Sequence, residues 1–593
     1  MNSIPFIPDN APFSPEQRHW LNGYFAGLFS DANLAARAMA GLSAAPAALA
    51  KPLTVFYGSQ TGTAEGLAKK TSKEAEKRGF KPKLVDMAKY ETVDLTKEEN
   101  VLVITSTYGD GDPPDNAQAF WNYLKSDTVP PLPHLNYSVL ALGDTNYAAF
   151  CQFGKVCDER FEKLGAKRVH PRVDCDVDYD APAKSWTDGV LAALASAGGG
   201  VPAASSNGAS VTEDLSAETG YSKRNPFPAR LLTNRLLNAE GSGKEVRHYE
   251  ISLAGSGLSY EVGDALGVVP ANCGELVGDV LAALGCDGEE AVKTLDGSES
   301  SLRLALALHY DITRPSAELL KAAAERGAAR GELSSLLDPE RKDDLKKWLW
   351  GREIIDVIGG IAPGFSAAEF VALLKKLQPR LYSISSSPKA HPDEVHLTIA
   401  AVRYDAHGRA RKGVASTFLA ERCADHTPVP VFVQTSHGFR LPANGDTPVI
   451  MCGPGTGIAP FRAFLEERLA TGATGKNWLF FGDQKRSSDF LYQDQLEGWV
   501  ADSHLTRLDL AFSRDQAEKI YVQNRMLEQA AELFTWLESG AHFYVCGDAS
   551  RMAKDVDAAL HQIAETAGGM SKDAAAAYIQ KLKTDKRYQR DVY

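Results

Sequence analysis

The sequence predicts a multidomain chain of mixed α/β and β class, with two α/β units separated by a β-rich unit that carries a helical insertion. Three observations lead there. Strand-like and helix-like segments alternate before residue 196 and again after 446, the pattern of parallel sheets covered by helices. The stretch SAGGGVPAASSNGASVTED, 196–214, exchanges apolar periodicity for Gly, Ala and Ser, as flexible linkers do. Between them, short strands are interrupted by a Leu/Ala/Glu-rich helical region from about 271 to 377. The resulting division is an N-terminal segment 1–50, a first unit 51–195, a linker 196–222, a β-rich unit 223–445 and a last unit 446–593.

Composition narrows the class. At roughly 150 residues per domain, 593 residues exclude one small binding module, and 44% hydrophobic with 24% charged residues is ordinary globular usage. The net charge, 64 − 76 = −12, disfavours nonspecific binding to nucleic acid or anionic membranes and favours a basic partner or local pockets for anions. Eight cysteines without a C-x-x-C pair argue against a disulfide framework, a zinc ribbon or a thioredoxin site. MNSIPFIPDNAPF lacks a basic n-region and apolar h-region, and no run of about 18 apolar residues follows, so a cytoplasmic chain is expected.

In the N-terminal segment, Ser14, Pro15, Glu16 and Gln17 make a capped helix start, and Trp20, Leu21, Tyr24, Phe25 and Leu28 share one helical face. Such a face packs on its own domain or on a partner or second copy.

In the first unit, TVFYG (54–58), VLVITSTYG (101–109) and SVLALGD (138–144) read as strands and AEGLAKKTSKEAEKRG (64–79) as a helix. SQTGTA, 59–64, joins the first strand to that helix without a lysine. Ser59, Thr61, Thr63 and the helix amides there suit a phosphomonoester. The next two strands lead into STYGDGDPPDN (106–116) and LGDTNYAAFC (142–151). Ligands of open parallel sheets bind beyond the carboxyl ends of the strands, which makes Tyr108 and Tyr147 two aromatic walls for a flat ring. In these three loops the unit resembles flavodoxin-like FMN domains. The resemblance implies FMN on Ser59, Gln60, Thr61, Gly62, Thr63 and Ala64, on Ser106, Thr107, Tyr108 and Gly109, and on Leu142, Gly143, Asp144, Asn146, Tyr147, Phe150 and Cys151. Asp110, Asp112, Asp115 and Asp144, with Asp174, Asp176, Asp178 and Asp180, would give that site an acidic rim that steers a basic electron acceptor.

The β-rich unit contains RLYSISSS, EVHLTIAAVRY and VPVFVQT as strands. Alternation sends Arg380 and Tyr382 to one face, and KGVASTFL (412–419) offers small residues leading into a helix, suited to a pyrophosphate. Together they resemble the FAD barrel of the ferredoxin-NADP reductase family. This implies FAD on Thr313, Arg380, Leu381, Tyr382, Ser383, Thr398, Ile399, Ala400, Tyr404, Gly413, Val414, Ala415, Ser416 and Tyr593.

In the last unit, CGPGTGIAPFRAF (452–464) follows the strand PVIMCG and opens a helix; its spacing is not G-x-G-x-x-G but resembles the ferredoxin reductase variant. AFSRDQAEKIYVQ (511–523) places Ser513, Arg514, Lys519 and Tyr521 past a strand end, where a guanidinium, an ammonium and hydroxyls match a ribose phosphate and favour NADPH over NADH. The implied nucleotide site is Gly455, Thr456, Ser513, Arg514, Lys519, Ile520, Tyr521, Val522, Gln523 and Asp555. The family places Cys546 of YVCGDASRMAKDV beside the nicotinamide, and from RYQRDVY it stacks Tyr593 on the flavin and sets Asp591 with Ser383 and Cys546 on the hydride path.

The order of these parts resembles the diflavin reductases over residues 51–593, and within them the NADPH-sulfite reductase flavoprotein group, whose N-terminal segment supports oligomerisation. Tyr108 departs from that group, which commonly has glutamine there. The implied route runs from NADPH through FAD and FMN to a haemoprotein acceptor, most closely the sulfite reductase beta-component of cysteine biosynthesis; a cytochrome or nitrate/nitrite system is the enzymatic alternative, and a redox-inactive scaffold the non-enzymatic one. Cys151 and Cys157, with five residues between them, lack the second close pair that sirohaem and iron–sulfur ligation needs, so no metal is expected on this chain.

Overall fold

Lys51–Gly58 (β1), Phe80–Asp86 (β2), Asn100–Ser106 (β3), Asn136–Leu142 (β4), Lys167–Arg168 (β5) and Val173–Cys175 (β6) form a parallel sheet in the order β2-β1-β3-β4-β5, with β6 also on β4. Its middle strands are buried on both faces, which is why β3 reads NVLVITS without alternation. Helices Thr63–Lys77 and Asp180–Ser196 cover one face through Leu67, Ala68, Trp186 and Leu191; Gln118–Lys125 and Gln152–Lys163 cover the other through Phe120, Leu124, Phe153 and Phe161. Strand order reverses between β1 and β3, and this opens a crevice beyond their carboxyl ends. The computed structural model describes residues 51–593 apart from 61, 110, 146–148, 177–178, 197–219, 327–329, 360, 362–363, 424–426 and 437. The N-terminal helix, most of the linker, and Thr61, Asp110, Asn146, Tyr147 and Asp178 therefore lie outside the described residues.

Phe227–Leu236 (β7), Val246–Ser252 (β8) and Ala265–Val268 (β9) begin an antiparallel sheet. It is interrupted by a helical insertion with its own core of Val280, Leu306, Ile354 and Phe370, and with the short pairs Ala291–Lys293 (β10) with Glu299–Ser301 (β11) and Tyr310–Asp311 (β12) with Lys375–Lys376 (β13). Arg380–Ser383 (β14), Glu394–Ala400 (β15), Arg403–Ala406 (β16), Arg409–Lys412 (β17) and Val429–Gln434 (β18) follow. The sheet order is β14-β9-β18-β7-β8-β15, and an Ile384–Leu397 bridge joins its two ends into a barrel. EVHLTIAAVRY, expected as one strand, breaks at Val402. The Val402 N–H donates to Ser416 Oγ at 3.1 Å and its carbonyl accepts from Gly413 N at 2.9 Å, so β16 pairs with β17 as a separate hairpin.

Val449–Cys452 (β19), Asn477–Asp483 (β20), Arg507–Phe512 (β21), His542–Gly547 (β22) and Tyr588–Val592 (β23) form a second parallel sheet, ordered β21-β20-β19-β22-β23. RYQRDVY, expected to cover the flavin, is an edge strand, paired so that Asp591 faces Cys546 across the ladder.

A polar seam holds the barrel to this sheet's helices. Arg462 donates to Ser385 O at 2.7 Å, stands 3.3 Å from His396 Nδ1 and pairs with Glu466 at 2.7 Å, while the Tyr492 hydroxyl meets His248 Nδ1 at 2.9 Å. His396 with His248 and Glu250, and with His391 and Glu394, brings candidate metal-ligand atoms within 4.8 Å. The Arg462 guanidinium, however, requires His396 Nδ1 as acceptor, which leaves the proton on Nε2 facing Glu394 at 3.1 Å. Burial and Arg462 lower the His248 pKa to about 4, so the seam is built from neutral rings.

Candidate functional site

The three loops predicted to bind phosphate and ring come together over β1, β3 and β4. Gly62, at φ 91°, turns the chain into helix Thr63–Lys77 and donates its N–H to Ser59 Oγ at 2.9 Å. Ser59 N donates to Asn116 Oδ1 at 2.9 Å, and Gln60 and Asp115 exchange two hydrogen bonds of 3.0 Å, tying the first loop to the second. Thr107 accepts from Phe153 N at 3.1 Å and joins the second loop to the first turn of the helix Gln152–Lys163 that follows the third. Among the described residues Ser106 Oγ and Tyr108 OH are buried without a hydrogen-bond partner, and Gly143 has no room for a side chain, since a Cβ would stand 2.7 Å from Cys151 N. Two orphaned hydroxyls and a backbone cradle beside a helix N-terminus fit a phosphorylated flavin. Gly109, Asp144 and Phe150 lie in the same loops. Ala64, Leu142 and Cys151 instead turn their side chains into the core, so their part in a site falls to the backbone. Burial pushes the Cys151 thiol up to about 12.

The acidic rim is less free than the sequence suggests. Asp176 accepts from Thr145 N at 3.0 Å and from its hydroxyl at 2.6 Å, Asp174 pairs with Arg172 at 2.7 Å, and Asp180 lies 3.5 Å from Arg224. Asp115 meets Arg590 of β23, whose Nε donates to Asp115 Oδ2 at 2.8 Å and whose guanidinium lies 5.6 Å from the Tyr108 ring centroid.

On the barrel, β14 presents Arg380, Tyr382 and Ser383, while Leu381 points to solvent. Ser383 Oγ donates to Asp591 Oδ2 at 2.6 Å, and Cys546 Sγ lies 3.8 Å from the same oxygen. Of the four residues expected on the hydride path, Ser383 and Cys546 therefore share the Asp591 carboxylate, and Tyr593 lies two residues beyond it. Burial raises the Asp591 pKa above the ordinary carboxylate range despite these two donors, and holds Cys546 as the thiol. The loop at 413–416 is locked by Thr417 Oγ1 donating to Gly413 O at 2.8 Å. A Cβ on Gly413 would meet Val402 at 2.8 Å. Thr313, Lys412, Val414, Thr417 and Arg422 line one cleft beside this loop, as a pyrophosphate site requires. Ala415 and Ser416 form the buried first turn after it. Thr398 and Ile399 are placed differently from expectation: Thr398 Oγ1 bonds the Tyr492 hydroxyl at 2.7 Å and Ile399 packs in the barrel core, which leaves only their backbone and the exposed Ala400 for a ligand.

In the last unit, Gly455 adopts φ 58°, and a Cβ on Gly457 would strike Cys546 O at 2.1 Å, so the loop must be glycine to lie against β22. Thr456 Oγ1 and Tyr593 OH are 2.9 Å apart. Ser513 follows β21 and donates its N–H to Asp483 O at 2.9 Å. Arg514, Lys519 and Tyr521 are exposed beyond it, and neither cation has an ion-pair partner among the described residues, the state expected of a phosphate site. Gln523 Nε2 donates to Asp555 Oδ2 at 3.1 Å, whereas Ile520 and Val522 anchor the segment in the core. Sequence reasoning missed Arg590, which carries no motif and becomes significant only when β23 reaches the first unit.

Three family models match the chain, one after another. Residues 55–186 match the flavodoxin family model, 220–418 the FAD binding domain and 451–558 the oxidoreductase NAD-binding domain. The chain is 49% identical over 583 residues to the sulfite reductase [NADPH] flavoprotein alpha-component of Bacillus subtilis, covering 97% of this chain and 95% of that one. It is 45% identical to the protein of the same name from Vibrio cholerae (98% and 93% covered) and 43% identical to that of Shewanella oneidensis (98% and 96%). With three matched domains in this order and near-complete coverage, the chain belongs to the sulfite reductase [NADPH] flavoprotein alpha-component family.

Proposed function

We propose that the chain accepts hydride from NADPH beside Ser383, Cys546 and Asp591 and passes electrons by way of FAD and FMN to a separate haemoprotein, the sulfite reductase component, which reduces sulfite to sulfide. The observation that carries this reading is the shared use of β23. Arg590 reaches Asp115 and Tyr108 of the first unit, Asp591 holds Ser383 and Cys546, and Tyr593 lies against Thr456 of the nucleotide loop.

When bound, the flavins supply the conversion of a two-electron hydride into single electrons. The residues supply position and charge. Ser513, Arg514, Lys519 and Tyr521 hold the ribose phosphate, and Gly455 and Thr456 the pyrophosphate. Tyr593, the C-terminal residue beside Thr456, would cover the flavin until the nicotinamide takes its place. The Asp591 carboxylate, fixed by Ser383, lies where positive charge develops as hydride leaves the nicotinamide. The segment before residue 51 serves self-association, on the strength of its amphipathic pattern. No helix among the described residues is long and apolar enough to cross a membrane.

Reconstitution tests the proposal. The purified chain is expected to carry FMN and FAD, to reduce cytochrome c with NADPH, and to form sulfide from sulfite only after sulfite reductase haemoprotein is added. Cytochrome c reduction without sulfide in that mixture would assign a different acceptor.

A further inference from the structure

We infer that Arg590 is a fixed charge that raises the reduction potential of FMN while the first unit is seated against β23, and that the potential falls when the unit leaves, so that the seat itself drives electrons forward. The inference rests on the reading that FMN lies between the loops at 106–109 and 142–151, and goes beyond it in giving the seat a thermodynamic part.

Arg590 belongs to the barrel and the nucleotide unit and stays with them. Its neighbours on β23 are tied down on both sides: Gln589 Oε1 accepts from Arg440 N at 2.8 Å, and Asp591 Oδ2 accepts from Ser383 Oγ at 2.6 Å. The Arg590 side chain crosses to the first unit, where its Nε donates to Asp115 Oδ2 at 2.8 Å and its guanidinium lies 5.6 Å from the Tyr108 ring centroid. The guanidinium is mostly buried there. Asp115 in turn exchanges two hydrogen bonds with Gln60 of the phosphate loop. A Cβ on Gly438 of the barrel unit would stand 3.4 Å from Gln60 O, so the barrel also approaches that loop closely. Asp112, bridged to Tyr108, travels with the first unit and contributes to both states.

The sign of the effect does not depend on which charge of the pair is nearer to the flavin. An electron that passes from reduced FAD to FMN adds one negative charge to the FMN site until a proton follows it. In the seated unit Asp115 is neutralised and a cation stands beside the aromatic wall, so the added charge is stabilised. In the released unit the cation is gone and Asp115 is bare. Both changes disfavour the added charge and make the same electron easier to give to the haemoprotein. At an effective dielectric constant of about 20, a unit charge at roughly 10 Å shifts an equilibrium on the order of tenfold. The haemoprotein and β23 compete for the same loops, so delivery follows release and takes place at the lower potential.

The test uses the full-length chain purified with both flavins. It reads the FMN midpoint potential by spectroelectrochemical titration, with FMN content measured on the same samples. Arg590→Gln is expected to lower that potential by an amount equivalent to about a tenfold shift in the partition of electrons between FAD and FMN. Arg590→Lys, which keeps the charge, is expected to retain most of the wild-type value. Asp115→Asn breaks the same contact but removes a negative charge, and is expected to hold the potential close to the wild-type value and above that of Arg590→Gln. A purely mechanical seat would move the potential equally in Arg590→Gln and Asp115→Asn, and that result would overturn the inference. The wild-type chain at rising ionic strength gives a check free of substitutions. Its FMN potential is expected to fall as salt opens the pair, whereas screening of the surrounding carboxylates alone would raise it. A rise, or no change, would overturn the inference even if every variant misfolded. A wild-type potential in Arg590→Gln with FMN bound would overturn it and leave the FMN reading standing. A purified wild-type chain that takes up FAD but no FMN would overturn the FMN reading itself.

Discussion

Arg590 and Asp115, 475 positions apart in sequence, form a half-buried ion pair that joins the edge strand of the nucleotide-binding sheet to the second loop of the flavodoxin-like unit. The pair lies one residue from Asp591, so the contact that seats the FMN unit adjoins the group that organises the hydride site. Losing one partner of such a pair costs about 2 kcal/mol at the lower end of the buried range, roughly a thirtyfold loss of the seated arrangement. Arg590→Gln is therefore expected to leave flavin reduction by NADPH nearly intact but to slow the onward reduction of FMN. Stopped-flow absorbance resolves the two phases, and equal slowing of both would contradict the assignment.

Asp591 sets a pH dependence. Burial raises its pKa in the fold, so as pH falls the carboxylate is protonated earlier than an exposed aspartate and its charge is lost to the developing nicotinamide cation. Hydride transfer is expected to rise with pH through a midpoint above the ordinary carboxylate range. Asp591→Asn is expected to flatten that profile and to lower the plateau on the order of 10²-fold. The stability effect has the opposite sign: the folded chain binds this proton more tightly than the unfolded one, so this group's contribution falls as pH rises through the window between the two values. Single-turnover flavin reduction and denaturant titrations across pH separate the two effects.

Among the described residues Arg514 and Lys519 stand without ion-pair partners beyond β21, so removing either is expected to cost the fold little and the ligand much. Each charge-assisted contact to a phosphate contributes about 1.5–3 kcal/mol, and Arg514→Ala is expected to raise the NADPH KM by about 10- to 100-fold and leave the NADH KM almost unchanged. Steady-state kinetics with both nucleotides read this out. An equal effect on NADPH and NADH would place the ribose phosphate elsewhere.

Tyr593 is 60% exposed, and among the described residues its hydroxyl bonds to Thr456. Deleting it removes a competitor for the nicotinamide position without opening the barrel. Tighter binding of NADP⁺, slower release and unchanged FAD content are expected, measurable by calorimetry and flavin analysis. Loss of FAD would make Tyr593 part of the cofactor's own support.

Sheets buried on both faces announce themselves as unbroken apolar strands, and loops that must turn sharply carry glycine; for these reasons β1, β3, β4, β19, β20 and β22 and the loops at 59–64 and 453–457 were legible in sequence. Side-chain direction was not. Thr398 and Cys151 lie inside recognisable motifs yet point into a domain seam and a core, because neighbours distant in sequence decide what each strand face meets. Arg590 illustrates the same limit. Nothing local in RYQRDVY distinguishes an arginine that faces water from one that grips an aspartate of another unit.

The thiols lead to a consequence of another kind. Of the eight free cysteines, six are buried, and burial raises the pKa of each of those six thiols. Reduced flavins exposed to air generate peroxide, and peroxide attacks thiolates far faster than thiols. A chain that carries electrons all its working life has thus placed most of its oxidisable sulfur where its own by-products react slowly, and its endurance under aeration is built into the same packing that shapes the sheets.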